Sequence, residues 1–285
     1  MRTMSHEKLP WMSLCARAGL ISAALALLPS AGAVAMPAAV ADFVPHKATY
    51  ELFLDRKRRG DGVSSAGGRM EFEWADVCDG WSITQKTQIY VGRSEGYNLN
   101  FGWSLSTWEA KDGLAYRFFI RRYTDGQESE LLRGEAHLET IGGEGRAVFS
   151  SPDEKEVGLP AGTVFPTWHS FELLDLAQSE ERGLWSVLFD GAGDDDGLSA
   201  VSAFITGEAK PQREGLLDSA LIQAQPSWRM ILAYYTLDDQ EALPIHEQEL
   251  RLFVTGVAED FVFDYGDFAL RARLVELSEL PPTGC

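Results

Sequence analysis

The feature that most limits what this chain can become is alternation. Apolar side chains recur at every second position, the spacing that puts them on one face of an extended strand. Ala48, Tyr50, Leu52 and Leu54 make one such face, and Met70, Phe72 and Trp74 the next. Residues 81–91 form a third run, and Leu99, Phe101, Trp103 and Leu105 line a fourth. Tyr116, Phe118 and Ile120 follow, then the more polar run 128–139. Turn signals are expected to separate these runs: Arg59-Gly60-Asp61-Gly62, Gly67-Gly68, Asp79-Gly80, Asp112-Gly113, Asp125-Gly126 and Gly142-Gly143. Strand patterns resume at 184–189, 200–208, 227–237, 245–255, 261–265 and 268–277. About thirteen strands are predicted, in a meander joined by short hairpins.

The period changes once. Pro166 ends an extended segment, and Trp168, Phe171, Leu174 and Ala177 then fall on one side of a helix, with Leu173 and Leu176 beside them. The spacing predicts one helix near 167–182, capped by Thr167 and closed by Gly183 in a left-handed conformation. A helix this short needs its apolar stripe packed on the sheet. No linker and no internal repeat divides the chain. A long antiparallel sheet hides its edges by closing on itself. The expected fold is therefore mainly β: a single large antiparallel β-spiral, a barrel-like curved sheet with one central α-helix, spanning 36–285.

Residues 1–35 read differently. Arg2, Lys8 and Arg17 precede the apolar run 18–28, which is too short to cross a bilayer of about 30 Å. Ala33-Val34-Ala35 matches the small-residue pattern of a signal-peptidase site. A cleaved secretory signal peptide is expected, with cuts after Ala38 or Ala41 as alternatives and Cys15 discarded with the leader. Its character is bacterial, which places the mature chain in the periplasm without membrane insertion. Cleavage removes three of the 25 basic residues and one of the 43 acidic ones, so the charge of -18 becomes -20. That balance argues against nucleic acid and against anionic membrane surfaces, both of which select basic patches.

Export leaves two cysteines, Cys78 and Cys285. An even pair in an oxidising compartment reads as one disulfide, the alternative being two unrelated thiols. A bridge closing a loop of about 208 residues is worth roughly 5 kcal/mol at most through chain entropy. It is expected to tie the exit of the last strand to an early hairpin and to help the two ends of the sheet meet.

Motifs that carry chemistry are few. Asp190-Gly191-Ala192-Gly193-Asp194-Asp195-Asp196-Gly197 has the acidity of a calcium loop, but Ala192 stands where a ligand oxygen is needed and the flanks read as strand. A solvated hairpin loop is expected there. His169, Ser170 and Glu172 lie together without the G-x-S-x-G elbow that strains a catalytic serine. His46, His137, His169 and His246 show no metal-binding spacing. Nucleotide-binding loops are missing, and the paired acids Glu128/Glu130 and Glu247/Glu249 read as solvated strand faces. No catalytic residue, metal or cofactor is therefore assigned. Large curved sheets often leave an apolar interior, so Trp103, Trp108, Trp168 and Phe171 are the candidate ligand-facing aromatics.

Several stretches together carry a resemblance: Ala48-Thr49-Tyr50-Glu51-Leu52, Gly68-Arg69-Met70-Glu71-Phe72 leading to Cys78-Asp79-Gly80-Trp81, 159–169 before the helix, Phe189-Asp190-Gly191, 264–267, and the end from Leu277 to Cys285. The chain resembles the EipB family of periplasmic proteins from α-proteobacteria over its mature length. The resemblance implies a spiral-like β fold with a central helix, similar in outline to lipoprotein carriers, and a disulfide between the early and the C-terminal cysteine. It also implies a role in cell-envelope integrity and no established enzymatic activity. Trp168 before His169 departs from the family pattern. The expected function is non-enzymatic: envelope maintenance through an apolar ligand, lipoprotein or protein partner on the curved sheet. The alternative is a periplasmic hydrolase acting on envelope material.

Overall fold

Fifteen strands lie in a single sheet whose sequence neighbours are, with few exceptions, its spatial neighbours. The structure, a computed structural model, describes residues 36–284 apart from 60–61, 94–95, 97, 180, 193–195, 210–216, 238–242, 267 and 282. Residues 1–35, the expected leader with Cys15, and Cys285 lie outside the described residues. The chain enters by a short 3-10 helix, Ala38–Ala41, and then forms β1 (His46–Arg59), β2 (Val63–Asp76), β3 (Gly80–Arg93), β4 (Asn98–Ala110), β5 (Ala115–Thr124) and β6 (Gln127–Leu138). Three shorter strands follow: β7 (Gly145–Ser151), β8 (Lys155–Leu159) and β9 (Thr163–Val164). The helix α1 (Pro166–Gln178) precedes β10 (Gly183–Phe189), β11 (Leu198–Glu208), β12 (Ser227–Tyr235), β13 (His246–Phe253), β14 (Ala258–Asp264) and β15 (Phe268–Glu279).

The order across the sheet runs from β8 down to β1, then from β15 down to β9. Every pairing is antiparallel except that of β9 with β10. The first and last strands are thus partners at the middle of the sheet, with His46 opposite Glu279 and Ala48 opposite Leu277. The two free edges are β8 and β9, which only residues 160–162 separate. Four Cα steps span at most about 15 Å, so the edges come together and the sheet is nearly closed. Gly162 spans the seam: its N–H donates to the Gly142 carbonyl at 2.7 Å, and its carbonyl accepts from Val187 N–H at 3.2 Å. The mainly β, barrel-shaped expectation holds, with fifteen strands among the described residues in place of about thirteen; β7, β8 and β9 are not among the runs read from the sequence. The expectation that the chain's end closes the sheet does not hold, because the first and last strands pair at its centre and the seam is elsewhere.

About eight strands give a barrel whose side chains fill the interior, and more strands leave space. Here α1 takes up that space. Thr167, Trp168, His169, Phe171, Leu173, Leu174, Leu176 and Ala177 are all buried, and only Gln178 in the helix is exposed. Burial all round replaces the single stripe read from the sequence. Phe171 sits among Phe43, Trp74 and Trp81, with ring centroids 5.4–5.6 Å away. A second aromatic cluster gathers Tyr116, Phe118, Phe149, Phe165 and Phe189 near the seam.

Both predicted helix ends are corrected. Phe165 is the N-cap and Pro166 opens the first turn, so Thr167 is already helical. Ser179 closes the helix, donating its N–H to the Asp175 and Leu176 carbonyls, and Gly183 instead begins β10. A serine hydroxyl that donates to the Leu176 carbonyl at 2.7 Å makes a left-handed glycine unnecessary.

Candidate functional site

The helix does not fill the barrel completely. Along one side of it lies a cavity of about 330 Å³. Its helical wall is Pro166, His169, Ser170, Leu173 and Leu174, the i, i+3, i+4, i+7 set of one helix face. The sheet supplies Leu52, Met70, Ile89, Leu232, Leu250 and Leu270 among others, inward residues of strands on both sides of the β1–β15 pair. Thr87, Gln85, Gln248 and the tyrosines 50, 234 and 265 add hydroxyl and amide groups, and among the described residues the lining contains no Lys, Arg, Asp or Glu. The wall grades from fully buried Tyr50, Ile89, Leu174 and Leu270 to half-buried Gln85, Trp103, Tyr234, Gln248 and Phe263 and exposed Tyr265. The mouth therefore lies on the Tyr265 side.

The helix is anchored from outside its own sequence. Glu109, buried near the end of β4, accepts hydrogen bonds from Thr167 N–H at 2.8 Å and Trp168 N–H at 2.7 Å. These are orphan donors of the first turn, and a carboxylate there meets the positive end of the helix dipole. Burial nevertheless pushes the Glu109 carboxyl up to about 7, with the two amide bonds opposing it. At the other end Asp175 accepts from Ala38 N–H at 2.9 Å and Ala39 N–H at 2.6 Å, tying the entering chain to α1. His169 has the opposite perturbation: burial alone holds its imidazole down to about 4, so the ring is neutral at neutral pH. Its Nε2 has no partner among the described residues, and neither does Nε1 of Trp74 on the facing strand β2.

The fold and the sequence can now be set beside known proteins. The profile of the EipB-like family matches residues 37–281. The chain belongs to the EipB-like family. It is 31% identical over 252 residues to the cell envelope integrity protein EipB of Brucella abortus (strain 2308), covering 87% of this chain and 88% of that protein. A crystal structure of a β-barrel-like protein of a domain of unknown function, also from Brucella abortus, superposes with a TM-score of 0.75 at 29% identity, covering 84% of this chain and 99% of that one.

Within this EipB-like fold the four candidate aromatics separate. Trp103 is in the cavity wall. Trp108 is not: it has the opposite parity on β4, and the Arg117 guanidinium lies 4.6 Å over its ring. Trp168 is buried away from the cavity, donating Nε1–H to Glu172 at 3.1 Å and packing so closely on Gly113 that a Cβ there would approach it to 2.6 Å. Phe171 belongs to the aromatic cluster with Phe43, Trp74 and Trp81. The cavity uses the neighbouring stripe of the same helix, and an all-round apolar helix gives no hint which stripe that is.

His169, Ser170 and Glu172 are not joined to one another. Ser170 donates to the Pro166 carbonyl at 2.8 Å, and Glu172 takes the Trp168 indole. In the acidic loop, Asp190 accepts from Ala192 N–H at 2.7 Å and Asp196 pairs with Lys155, while 193–195 lie outside the described residues. No group of metal-holding side chains occurs among the described residues. Cys78 sits in the β2–β3 turn at φ 70, a left-handed position that its N–H supports by donating to Asp76 at 3.0 Å. Its sulfur is disulfide-bonded. The pairing with Cys285 is a proposal, taken up next.

Proposed function

We propose that this protein is an exported, non-enzymatic component of the periplasm that supports cell-envelope integrity by holding an apolar ligand, such as an acyl chain free or carried on a lipoprotein, in the cavity beside α1. The observation that carries the reading is the cavity: a buried space walled by aliphatic and aromatic side chains, with no Lys, Arg, Asp or Glu among the described residues of its lining. Such a space favours an apolar guest over a polar substrate. The name of the relative from Brucella abortus supports the envelope role. The leader read from residues 1–35 supports export. Asp175 holds the N–H groups of Ala38 and Ala39, which favours cleavage after Ala35 over a cut after Ala41.

The companion proposal is the Cys78–Cys285 bridge. His46 stands between Trp74 on β2 and Glu279 on β15, so both chain segments leave the same end of the two strands that flank β1. Leu280 N–H continues the register by donating to the Pro45 carbonyl at 2.8 Å. The bridge would staple the centre of the sheet, where the first and last strands meet.

Titrating an apolar fluorophore into the mature protein tests the cavity. Saturable one-to-one binding is expected, and Ala258→Phe, which projects a ring into the cavity from β14, should abolish it while the thermal melt is retained. Equal binding by the two proteins would reject the cavity as the site.

A further inference from the structure

The cavity is apolar, but two of its buried side chains end in unpartnered nitrogens. Trp74 and His169 both line it, from β2 and α1, and both are 4% exposed. Trp74 Nε1 and His169 Nε2 have no hydrogen-bond partner among the described residues. An indole N–H can only donate, and a neutral imidazole nitrogen donates or accepts according to its tautomer. Leaving such atoms buried and unpaired is costly, so native proteins rarely do it without a reason. Among the described residues no charged side chain in the lining competes for them.

Resting on the carrier reading, we infer that the ligand is a single-chain amphiphile with an uncharged oxygen head, an ester or an alcohol, whose oxygen is buried against Trp74 and His169. At about 330 Å³ the cavity stands at the small end of the range for ligand pockets, roughly 300–1,000 Å³. That size favours one chain over two. An ester carbonyl accepts from the indole, and an alcohol can in addition donate to the imidazole. A carboxylate head fits badly: it would leave water for a space with no Lys or Arg, facing a ring that burial keeps neutral.

The test is competition for the bound fluorophore at pH 7 by decanol, methyl decanoate, decanoate and decane, with wild type, Trp74→Phe, His169→Phe and His169→Gln. Decanol and the methyl ester should displace the probe at least about tenfold better than decanoate, which would have to bury an unpaired charge. Trp74→Phe and His169→Phe should each weaken the ester or the alcohol about three- to tenfold more than they weaken decane, as loss of a neutral hydrogen bond requires. His169→Gln, which keeps a hydrogen-bonding group, should recover part of the loss. If Trp74→Phe does not fold, the two His169 variants decide alone. Decanoate binding as tightly as the ester, or variants that weaken all four competitors alike, would overturn the inference and leave the carrier reading standing. If the fluorophore does not bind wild type at all, the carrier reading itself fails.

Discussion

Replacing Glu109 by Gln separates the two things this carboxyl does: it caps α1, and it holds a proton. Its oxygens accept the first-turn N–H groups of Thr167 and Trp168, and the residue is buried at 2% exposure. An amide keeps one acceptor but turns an NH2 toward the second donor, so one buried N–H loses its partner at a cost of about 1–3 kcal/mol. The proton adds a pH signature. The unfolded carboxyl titrates near its ordinary 4.5, and burial raises the folded one to about 7. Between those values the folded state keeps a proton that the unfolded state has released. Stability from this group is therefore fully present below 4.5 and is lost as pH rises through 7. At about 1.4 kcal/mol per pH unit the loss is about 3 kcal/mol. Glu109→Gln does not titrate. Urea unfolding of both proteins between pH 5 and pH 8 should show the variant clearly destabilised at the acid end and approaching wild type, by about 2–3 kcal/mol, at the basic end. The opposite slope of His169 is common to both proteins and cancels in the difference. A difference in unfolding free energy that stays flat across the window would refute the reasoning that the carboxyl is buried and proton-bearing.

Other substitutions follow from single contacts. His169→Gln should remove a stabilisation that is present above pH 6.5 and lost as pH falls toward 4, so the variant's unfolding free energy should decline less on acidification than that of wild type. Reduction, or Cys285→Ser, should cost about 2–5 kcal/mol and lower the melting temperature by several degrees; two free thiols in unreduced periplasmic protein would remove the bridge. Arg251 and Glu259 pair at 2.8 Å with both side chains buried, and Arg251 also donates to Ser227 at 2.9 Å. Arg251→Met alone should therefore cost about 3–5 kcal/mol in urea unfolding, and adding Glu259→Leu should recover most of it, because the stranded carboxylate is the damage.

Much of the sheet was legible because its faces alternate cleanly. Ala48, Tyr50 and Leu52 carry the parity that the structure buries, and Met70 and Trp74 do the same on β2. β7 and β8 escaped notice although Ala147/Phe149 and Val157/Leu159 alternate, since Pro152 interrupts two runs too short to stand out. β9 has two residues and no pattern of its own; it is a strand only because β10 is beside it. The pairing of β1 with β15 is a contact between chain ends that local periodicity does not encode. At the site, the parity of β4 already separated Trp103 from Trp108, and it put Glu109 on the inward face with Trp103, where an isolated acid is a signal. Nothing local said that this acid would meet α1, because the helix N-terminus is fixed by Pro166 and by the seam. Trp168 and Phe171 were natural choices of aromatic, but α1 is apolar on every side, and only its place in the barrel decides that His169 and Leu173 meet the cavity.

The central claim is that the space beside α1 is what the cell uses. A strain lacking this protein, challenged with detergent and with cell-wall antibiotics, should be sensitive and should be rescued by the wild-type chain. The same chain carrying Ala258→Phe, exported to the same level and with an unchanged melt, should fail to rescue it. Full rescue by the filled-cavity protein would contradict the claim and move the function to the outer surface of the sheet.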